Sequence, residues 1–467
     1  MTDATAPAAA TPAPARTRAP RRSPTDLTFR LDDALVERFA GGEPDWLAAD
    51  RRGALTRFRA LPIESNRLYT PYIDLRAADL EAVRAYEAPA GEASGRVALP
   101  VGTAGLAALR EDAVEALELD EHARAAGVTL ETLNGLVRRD PATARQLLGD
   151  EASLPADDAL AQLTRAGWNQ GIAVRVPAGV KLDRPIVLRW TAGAPGHALL
   201  TRTIVELGDG ASASLVEELL GSTSPSAGDV QALFTGSLEV RLGRGAELAV
   251  ASIQDFGPRQ VAFQHRDAVM GEGASLHWAL AQLGSQLVRS RVDNRLIGDR
   301  STVEQVEIVF GADDQLFDLT SYTRHVGRDT TGNLLSKGAL LDRSRSYMKG
   351  LIVIERTAIG TDSFLGEFGM NLSRGTRAVA IPSLEIDQPD CRRAAHSSSV
   401  GPIDEAQLFY LESRGIPPDE ARKFIVLGFL EPVVARVPLI EAQDRLRELL
   451  EAKWAAGSAA GASATAA

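Results

Sequence analysis

The chain has 467 residues, with 51 Lys or Arg against 62 Asp or Glu, and its formal net charge is −11. This acidic balance disfavours a protein that binds nucleic acid or anionic lipid through overall charge attraction. A single cysteine, Cys391, excludes an internal disulfide framework, a zinc ribbon and a self-contained thiolate-ligated iron–sulfur site. The longest nearly apolar run, Phe424 to Leu430, is far shorter than the roughly 18 residues that span a bilayer. These features predict a soluble, cytoplasmic protein of several domains that binds neither nucleic acid nor membranes.

The two ends of the chain have compositions that disfavour a packed core. Residues 1–24 consist mainly of Ala, Pro, Thr and Arg with one acidic residue, Asp3, and we predict a disordered tail there. An Arg-rich, acid-poor segment is also typical of an organelle transit peptide, although a bacterial disordered tail is the simpler interpretation. Residues 456–467 contain only Ala, Gly, Ser and Thr, which predicts a flexible tail.

Residues 25–165 show helical periodicity and are predicted to form an N-terminal helical domain. Apolar side chains recur at three- and four-residue steps from Trp46 to Phe58, and Asp45 precedes that helix as its expected N-cap. The pairs Asp140-Pro141 and Gly149-Asp150 separate further short helices.

From about residue 166 the apolar period changes from helical to alternating, and this β-rich region extends to residue 395. A glycine-rich turn introduces alternating segments, and it recurs at Gly208, Gly243, Gly271 and, in weaker form, Gly298. Glycine accepts the positive φ that a sharp corner requires. A regular repeat without intervening helices favours a β-helix, in which each turn stacks on the next, over an antiparallel sandwich.

Helical periodicity returns at the C-terminal end, and residues 396–455 are predicted to form a second helical domain. Asp404 followed by Gln407 matches a capping box that starts one helix, and Gly415 ends it. A second helix is expected over residues 419–427, and a third from about 438 with Trp454 on its apolar face. The predicted fold is therefore mainly β, with a β-helix core between two helical domains.

Motifs of common catalytic sites are missing from the sequence. The glycine turns do not match phosphate-binding loops, no Gly-x-Ser-x-Gly elbow accompanies a helix, and the six histidines lack metal-ligand spacing. The adjacent carboxylates of Asp313 and Asp314 leave a carbohydrate-active β-helix enzyme as one alternative, and a purely structural solenoid is another. An aromatic content of only 5% disfavours the sugar-stacking groove that such an enzyme needs.

His396 differs from the other histidines because it lies where the β-rich region meets the C-terminal helices. A neutral imidazole at this junction has two interpretations. It is either a metal ligand in a site that another chain completes, or a hydrogen-bonding cap at the end of the solenoid. The spacing alone leaves both open.

Motifs around this junction resemble the SufB/SufD family, the paralogous scaffold subunits of the SUF iron–sulfur cluster assembly machinery. The matching segments near the junction are Ile381 to Ile386, His396 to Gly401 and Asp404 to Ile416. Further matches lie upstream, at residues 323–325, 333–338, 341–344, 360–362 and 371–373. The resemblance covers residues 165–455 well and the N-terminal part weakly.

The resemblance implies a right-handed parallel β-helix and a complex with a SufB-like paralogue and a SufC-like ATPase. The C-terminal helices would dock the ATPase, with Asp404, Tyr410 and Arg414 in the docking region. A transient iron–sulfur cluster would form where the two paralogues pair, and His396 occupies the position of the histidine that SufD contributes there. The chain would then be a scaffold with no catalytic centre and no resident cofactor. A homodimer is also compatible with the sequence.

The position of the cysteine distinguishes the two paralogues. SufB needs a thiolate to receive sulfur, commonly two residues before this histidine, where the present chain has Ala394. Cys391 lies five residues before His396, outside the family pattern. The chain is therefore most like SufD, with Cys391 as an incidental thiol. The alternative is a SufB-like scaffold in which Cys391 accepts sulfur or acts as a displaced metal ligand.

Overall fold

A computed structural model describes residues 22–87, 97–149, 154–222 and 229–465, with residues 458–465 as backbone only. Strands make up 41% of the structure against 24% for helices, and the core is a β-solenoid of about 8 turns flanked by N- and C-terminal helices. The prediction of a mainly β protein with a β-helix core is confirmed.

The strands follow one another along the chain with short turns between them. In chain order they are β1 (Arg84–Ala85), β2 (Gly105–Arg110), β3 (Ala113–Leu119), β4 (Thr129–Thr132), β5 (Gln170–Val176), β6 (Ile186–Ala192), β7 (His197–Leu207), β8 (Ser212–Gly221), β9 (Ala232–Leu242), β10 (Glu247–Asp255), β11 (Gln260–Met270), β12 (Ser275–Gln282), β13 (Leu287–Leu296), β14 (Thr302–Gly311), β15 (Leu316–His325), β16 (Thr331–Leu340), β17 (Arg345–Ile354), β18 (Asp362–Asn371), β19 (Arg377–Ile386) and β20 (Arg393–Gly401).

The helices lie before and after the long run of strands. They are α1 (Asp33–Ala40), α2 (Asp45–Ala60), a 3-10 turn (Thr70–Tyr72), α3 (Glu121–Ala125), α4 (Leu133–Arg139), α5 (Pro141–Leu148), α6 (Ala159–Gly167), α7 (Glu405–Ser413), α8 (Pro418–Val434) and α9 (Ile440–Thr465). None of these described helices is long and apolar enough to cross a membrane.

The strands form two sheets that enclose a common interior. The odd sheet has the order β19-β17-β15-β13-β11-β9-β7-β5-β4, and the even sheet has the order β20-β18-β16-β14-β12-β10-β8-β6-β2-β3. Successive strands from β5 onward alternate between the sheets and pair in parallel with the strand two positions away. One rung of the solenoid is therefore one strand of each sheet.

The glycine turns predicted from sequence form corners between an odd strand and the next even strand. Gly210, Gly245 and Gly273 have φ of 67°, 61° and 65° at three of these corners. The fourth copy carries Arg300 at this position with φ 59°, which explains why its sequence pattern is weaker. A positive φ costs a non-glycine residue about 1–2 kcal/mol, so the chain places glycine at most of these corners.

The N-terminal segment covers the outer face of the odd sheet. Phe29, Val36 and Leu163 pack there against Phe263 and Leu316 in one buried cluster. Buried ion pairs add to this contact, among them Arg289 with Glu64 at 2.8 Å and Arg289 with Asp318 at 2.7 Å. The odd sheet is therefore closed to solvent over much of its outer face.

The C-terminal helices cover the outer face of the even sheet. Val426 and Leu430 of α8 and Leu446 and Leu450 of α9 are buried in one cluster with side chains of even strands, such as Ile308. Both helices extend further than expected, since α8 continues to Val434 and α9 continues to Thr465. The expected flexible tail over 456–467 is thus helical to Thr465, in keeping with the high helix propensity of alanine.

The prediction of a mostly helical segment over 25–165 is wrong in part. The hairpin of β2 and β3 adds to the end of the even sheet beside β6, and β4 adds to the odd sheet beside β5. The sequence of β2, rich in Leu and Ala, has the intrinsic preference of a helix. Pairing with the edge of β6 overrides that preference. The helix α2 is preceded by Pro44 as N-cap, so Asp45 is its first residue and not its cap.

The boundary placed between residues 395 and 396 is also wrong. Residues 393–401 form β20, the last strand of the even sheet, so His396 lies within the β-helix and not at the start of the helical domain. β20 has no rung above it to bury its side chains, so its sequence is rich in serine and lacks the alternating apolar pattern that predicts a strand.

The disordered tail expected over 1–24 lies mostly outside the described residues. Arg22 and Pro24 contact Leu75, through the guanidinium of Arg22 and the carbonyl of Pro24.

Candidate functional site

The solenoid ends in two strands whose outer edges are unpaired. β19 pairs with β17 and β20 pairs with β18, and in the described part of the chain no further strand pairs with either of them. Most residues of β20 are exposed, including Val400, whereas strands in the middle of the solenoid are largely buried. Unpaired parallel edges present backbone donors and acceptors to another chain. We call this region the open end.

His396 continues an interior column of side chains to the open end. In-register pairing stacks Trp278, Gln305, Leu334, Leu365 and His396 on successive even strands. Leu334 and Leu365 are 2% and 1% exposed, which places this column inside the solenoid. Residues paired in parallel strands point to the same face, so His396 also faces the interior. It is exposed because no rung covers it.

The imidazole of His396 is free to bind a ligand from outside the chain. No hydrogen bond or ion pair to its ring is formed by the described residues. Within the described ranges, no three His, Cys, Asp or Glu side chains are grouped so that they would hold a metal ion. A metal bound at His396 would therefore need ligands from a second chain.

A buried carboxyl group, that of Glu367, lies one rung below the open end. Glu367 of β18 pairs with Ser398 of β20, and it is 1% exposed. Its Oε2 accepts a hydrogen bond from the backbone N–H of Ile381 at 2.8 Å, so the carboxylate reaches the last strand of the opposite sheet. Burial raises the pKa of Glu367 to about 8.

Cys391 lies in the turn between β19 and β20, before the strand that carries His396. It is partly buried and packs with Leu384 and Ala394 against an apolar cluster that includes Leu365. His396 lies about 10 Å further along the strand than Arg393, where β20 begins, at about 3.3 Å per residue. Cys391 itself precedes β20 and is not a member of the interior column of His396, although it packs against the cluster that contains Leu365.

The predicted docking residues lie on α7, directly after the open end. The carboxylate of Asp404 caps α7 by accepting a hydrogen bond from the N–H of Ala406 at 2.8 Å. The guanidinium of Arg414 lies 5.2 Å from the centre of the Tyr410 ring. No described residue of α7 is buried, and Phe409 and Tyr410 are 72% and 58% exposed. Adjacent aromatic side chains with this exposure are typical of a surface that a partner covers.

A cleft of about 470 Å³ lies beside α7. This helix cleft lies between the even sheet and α7–α8, with Phe368, Gln407, Phe424 and Phe429 in its lining. Phe424 is 61% exposed there. Sequence analysis missed Phe409 and Phe424, although aromatic residues in an otherwise aromatic-poor chain were a usable signal.

The region that contains these features matches a known protein family. The family model described as "SUF system FeS cluster assembly, SufBD core domain" matches residues 190–429, about half of the chain. The chain belongs to the SufBD family. The matched range includes the open end, His396, α7 and most of α8.

Curated relatives of the SufBD family have similar sequences over the same part of the chain. The iron–sulfur cluster assembly protein SufD of Bacillus subtilis is 28% identical over 295 residues, which cover 63% of this chain and 66% of that protein. A SufBD family protein of Mycobacterium tuberculosis is 28% identical over 311 residues, covering 64% of this chain and 75% of the relative. A SufBD family protein of Staphylococcus epidermidis is 25% identical over 344 residues, with 74% and 73% covered. The predicted resemblance to this family, and to SufD within it, is confirmed.

Proposed function

We propose that the chain is a SufD-like scaffold that pairs through its open end with a SufB-like paralogue. The free edges of β19 and β20 support this proposal, because a second β-helix can continue both sheets by backbone pairing. The side chains that face the interior at this end would then become buried between two solenoids. A transient iron–sulfur cluster, the cargo of the complex, would form in that space.

His396 is proposed as the ligand that this chain contributes to the cluster. The observation that carries the proposal is its position at the exposed end of an otherwise buried interior column. A neutral imidazole is a suitable ligand for iron, and pairing would remove it from water. The thiolate that receives sulfur would come from the paralogue, because Cys391 is partly buried in the turn before β20 and is not one of the residues of this column.

The exposed helix α7 and the helix cleft are proposed as the docking surface for a SufC-like ATPase. The helices that follow α7 lie directly on the even sheet, and Lys337 of β16 donates a hydrogen bond to the carbonyl of Phe429 in α8 at 3.1 Å. Movement of the docked ATPase would reach the rungs through this contact. ATP hydrolysis would belong to the partner, and this chain would have no catalytic centre of its own.

The proposal is tested by co-expressing the chain with a SufB-like subunit and a SufC-like ATPase and measuring the bound iron and sulfide. His396→Ala should purify in the same complex and lose most of the cluster. His277→Ala is the matched control, since His277 is an exposed strand histidine in the middle of the solenoid. A normal cluster yield with His396→Ala would contradict the ligand role, and a failure of the wild-type chain to bind the paralogue would contradict the pairing.

A further inference from the structure

A second potential metal ligand lies next to His396 in the interior of the solenoid. The neighbouring interior column contains Leu280, Glu307, Ser336, Glu367 and Ser398 on successive even strands. Glu367 is thus one rung below Ser398, and Ser398 is two residues from His396 on the same face of β20. Strand spacing of about 4.8 Å and a rise of about 3.3 Å per residue give about 8 Å between the Cα atoms of Glu367 and His396.

The two oxygens of the Glu367 carboxylate differ in their contacts. Oε2 accepts the hydrogen bond from the N–H of Ile381, whereas Oε1 receives no hydrogen bond from any residue that the structure describes. Gly350 of the opposite sheet makes room for this group. A Cβ atom at position 350 would lie 2.9 Å from Oε1 and 2.5 Å from Cδ2 of Leu365. The interior is therefore shaped to admit a carboxylate that its neighbours leave partly unsatisfied.

A buried carboxylate with a free oxygen is favourable only when a positive charge or a proton accompanies it. Glu367 forms no ion pair of 4 Å or less with a described residue, and the positive charge that acts on it, that of Lys349, pairs with Asp318. The deeper acid of the column, Glu307, receives two hydrogen bonds at Oε1, from Gln282 and Ser290 and both at 3.2 Å. Glu367 receives one hydrogen bond, from Ile381, and it is the acid of this column that lies within reach of the open end.

We propose that Glu367 and His396 together bind a ferrous ion at the open end, before the paralogue completes its coordination. A carboxylate oxygen and an imidazole nitrogen are both suitable ligands for Fe²⁺, and side chains of this length converge across about 8 Å. This inference rests on the proposed function, since it assigns a second ligand to the same cargo site. It gives this chain a role in holding iron, distinct from the sulfur-accepting role of the paralogue.

The experiment is a titration of the full-length chain with Co²⁺, a spectroscopic substitute for Fe²⁺, followed by calorimetry and by visible absorption. Glu367→Gln keeps an acceptor for the Ile381 N–H and should weaken Co²⁺ binding about tenfold or more, as should His396→Ala. Glu307→Gln, which removes an acid two rungs deeper, is the matched control and should bind as the wild type does. If Glu367→Gln does not fold, Glu367→Asp keeps the charge but shortens the reach and should also weaken binding.

The outcomes separate this inference from the proposed function. Loss of Co²⁺ binding in His396→Ala but not in Glu367→Gln would overturn the role of Glu367 and leave the proposed function intact. Absence of Co²⁺ binding by the wild-type chain would likewise overturn the two-ligand site, while cluster yield in the full complex would still test His396. Equal weakening by Glu307→Gln would show a general effect on the interior and would also overturn it.

Discussion

His396 occupies the same register position as Leu365, one rung further along the solenoid. The fold makes one of these positions a buried core site and the other an exposed site, although their local strand geometry is the same. Leu365 is 1% exposed and packs with Leu334 and Ile352, whereas His396 faces an interior that this chain does not close. The chemistry of the open end follows from this difference.

Exchanging the chemical character of these two positions should have opposite effects on stability and on function. His396→Leu should change the free energy of unfolding by about 0.5 kcal/mol or less, because the site is exposed, and should abolish cluster formation in the complex. Leu365→His should destabilise the chain by about 2–4 kcal/mol, because it replaces a packed apolar side chain with a polar one. Chemical denaturation of both variants checks the prediction. A His396→Leu variant with normal cluster yield would contradict it.

The exposed aromatic residues of α7 should affect ATPase binding without affecting the fold. Replacing Phe409 and Tyr410 together by Ser should weaken binding of a SufC-like ATPase about tenfold or more, since buried aromatic residues dominate protein interfaces. The melting temperature should stay near that of the wild type. Ile440→Ser removes another exposed apolar side chain, 73% exposed at the start of α9, and serves as the control. Equal loss of ATPase binding in this control would refute a specific role for α7.

A partly buried lysine should give the docking of α9 a measurable pH dependence. Lys453 of α9 donates hydrogen bonds to the carbonyl of Leu283 and, at 2.7 Å, to Oε1 of Gln315 at the corners of the solenoid. Burial lowers its pKa to about 7 from the ordinary 10.5, opposed by the nearby carboxylates of Asp255 and Asp313. Between these two values the unfolded chain binds a proton that the folded chain lacks, so this group makes stability rise with pH from about 7 to 10.5.

The pH dependence is measured as the free energy of unfolding at pH 7 to 10 for the wild type and Lys453→Met. The variant should lack a rise of up to about 1.4 kcal/mol per pH unit. Lys423→Met, which removes a partly exposed lysine of α8 that pairs with Glu451, should keep the wild-type dependence. Parallel curves for the wild type and Lys453→Met would contradict the prediction.

Two glycines with open space around them, Gly245 and Gly257, should differ in their sensitivity to substitution according to their backbone φ. Gly245 has φ 61°, and no other atom lies within 4 Å of the place that a Cβ atom would occupy. Gly245→Ala should therefore lower the free energy of unfolding by about 1 kcal/mol through backbone strain alone. Gly257 is equally open but has no positive φ, and Gly257→Ala should be neutral or slightly stabilising. Thermal unfolding of the pair separates strain from crowding. A loss of stability in Gly257→Ala as large as in Gly245→Ala would count against this explanation.

The features predicted correctly from sequence are those with a local cause. Repeated glycine turns indicated the corners because a positive φ selects glycine at a single position. Asp404 and Gly415 gave the limits of α7, since a side-chain cap and a left-handed residue, with φ 86° at Gly415, act within one helical turn. His396 was identified through motifs, and its sequence position is near the end of the strands.

The features that the sequence did not reveal depend on register or on distant pairing. The sequence of β2 predicts a helix, and its strand conformation depends on pairing with β6. β20 lacks an apolar pattern because no further rung covers its interior side. Glu367 is an ordinary glutamate in sequence. Only its pairing with Ser398, and the bond to Ile381 in the opposite sheet, bring it to the open end beside His396.

The central claim, that His396 binds the cluster at the open end, is tested most directly by electron paramagnetic resonance of the reduced cluster in the assembled complex. With histidine labelled by ¹⁵N, the wild-type complex should show hyperfine coupling to a nitrogen bound to iron. His277→Ala should keep that coupling, and any residual cluster in His396→Ala should lack it. A wild-type cluster without nitrogen coupling, or a coupling that persists in His396→Ala, would contradict the account.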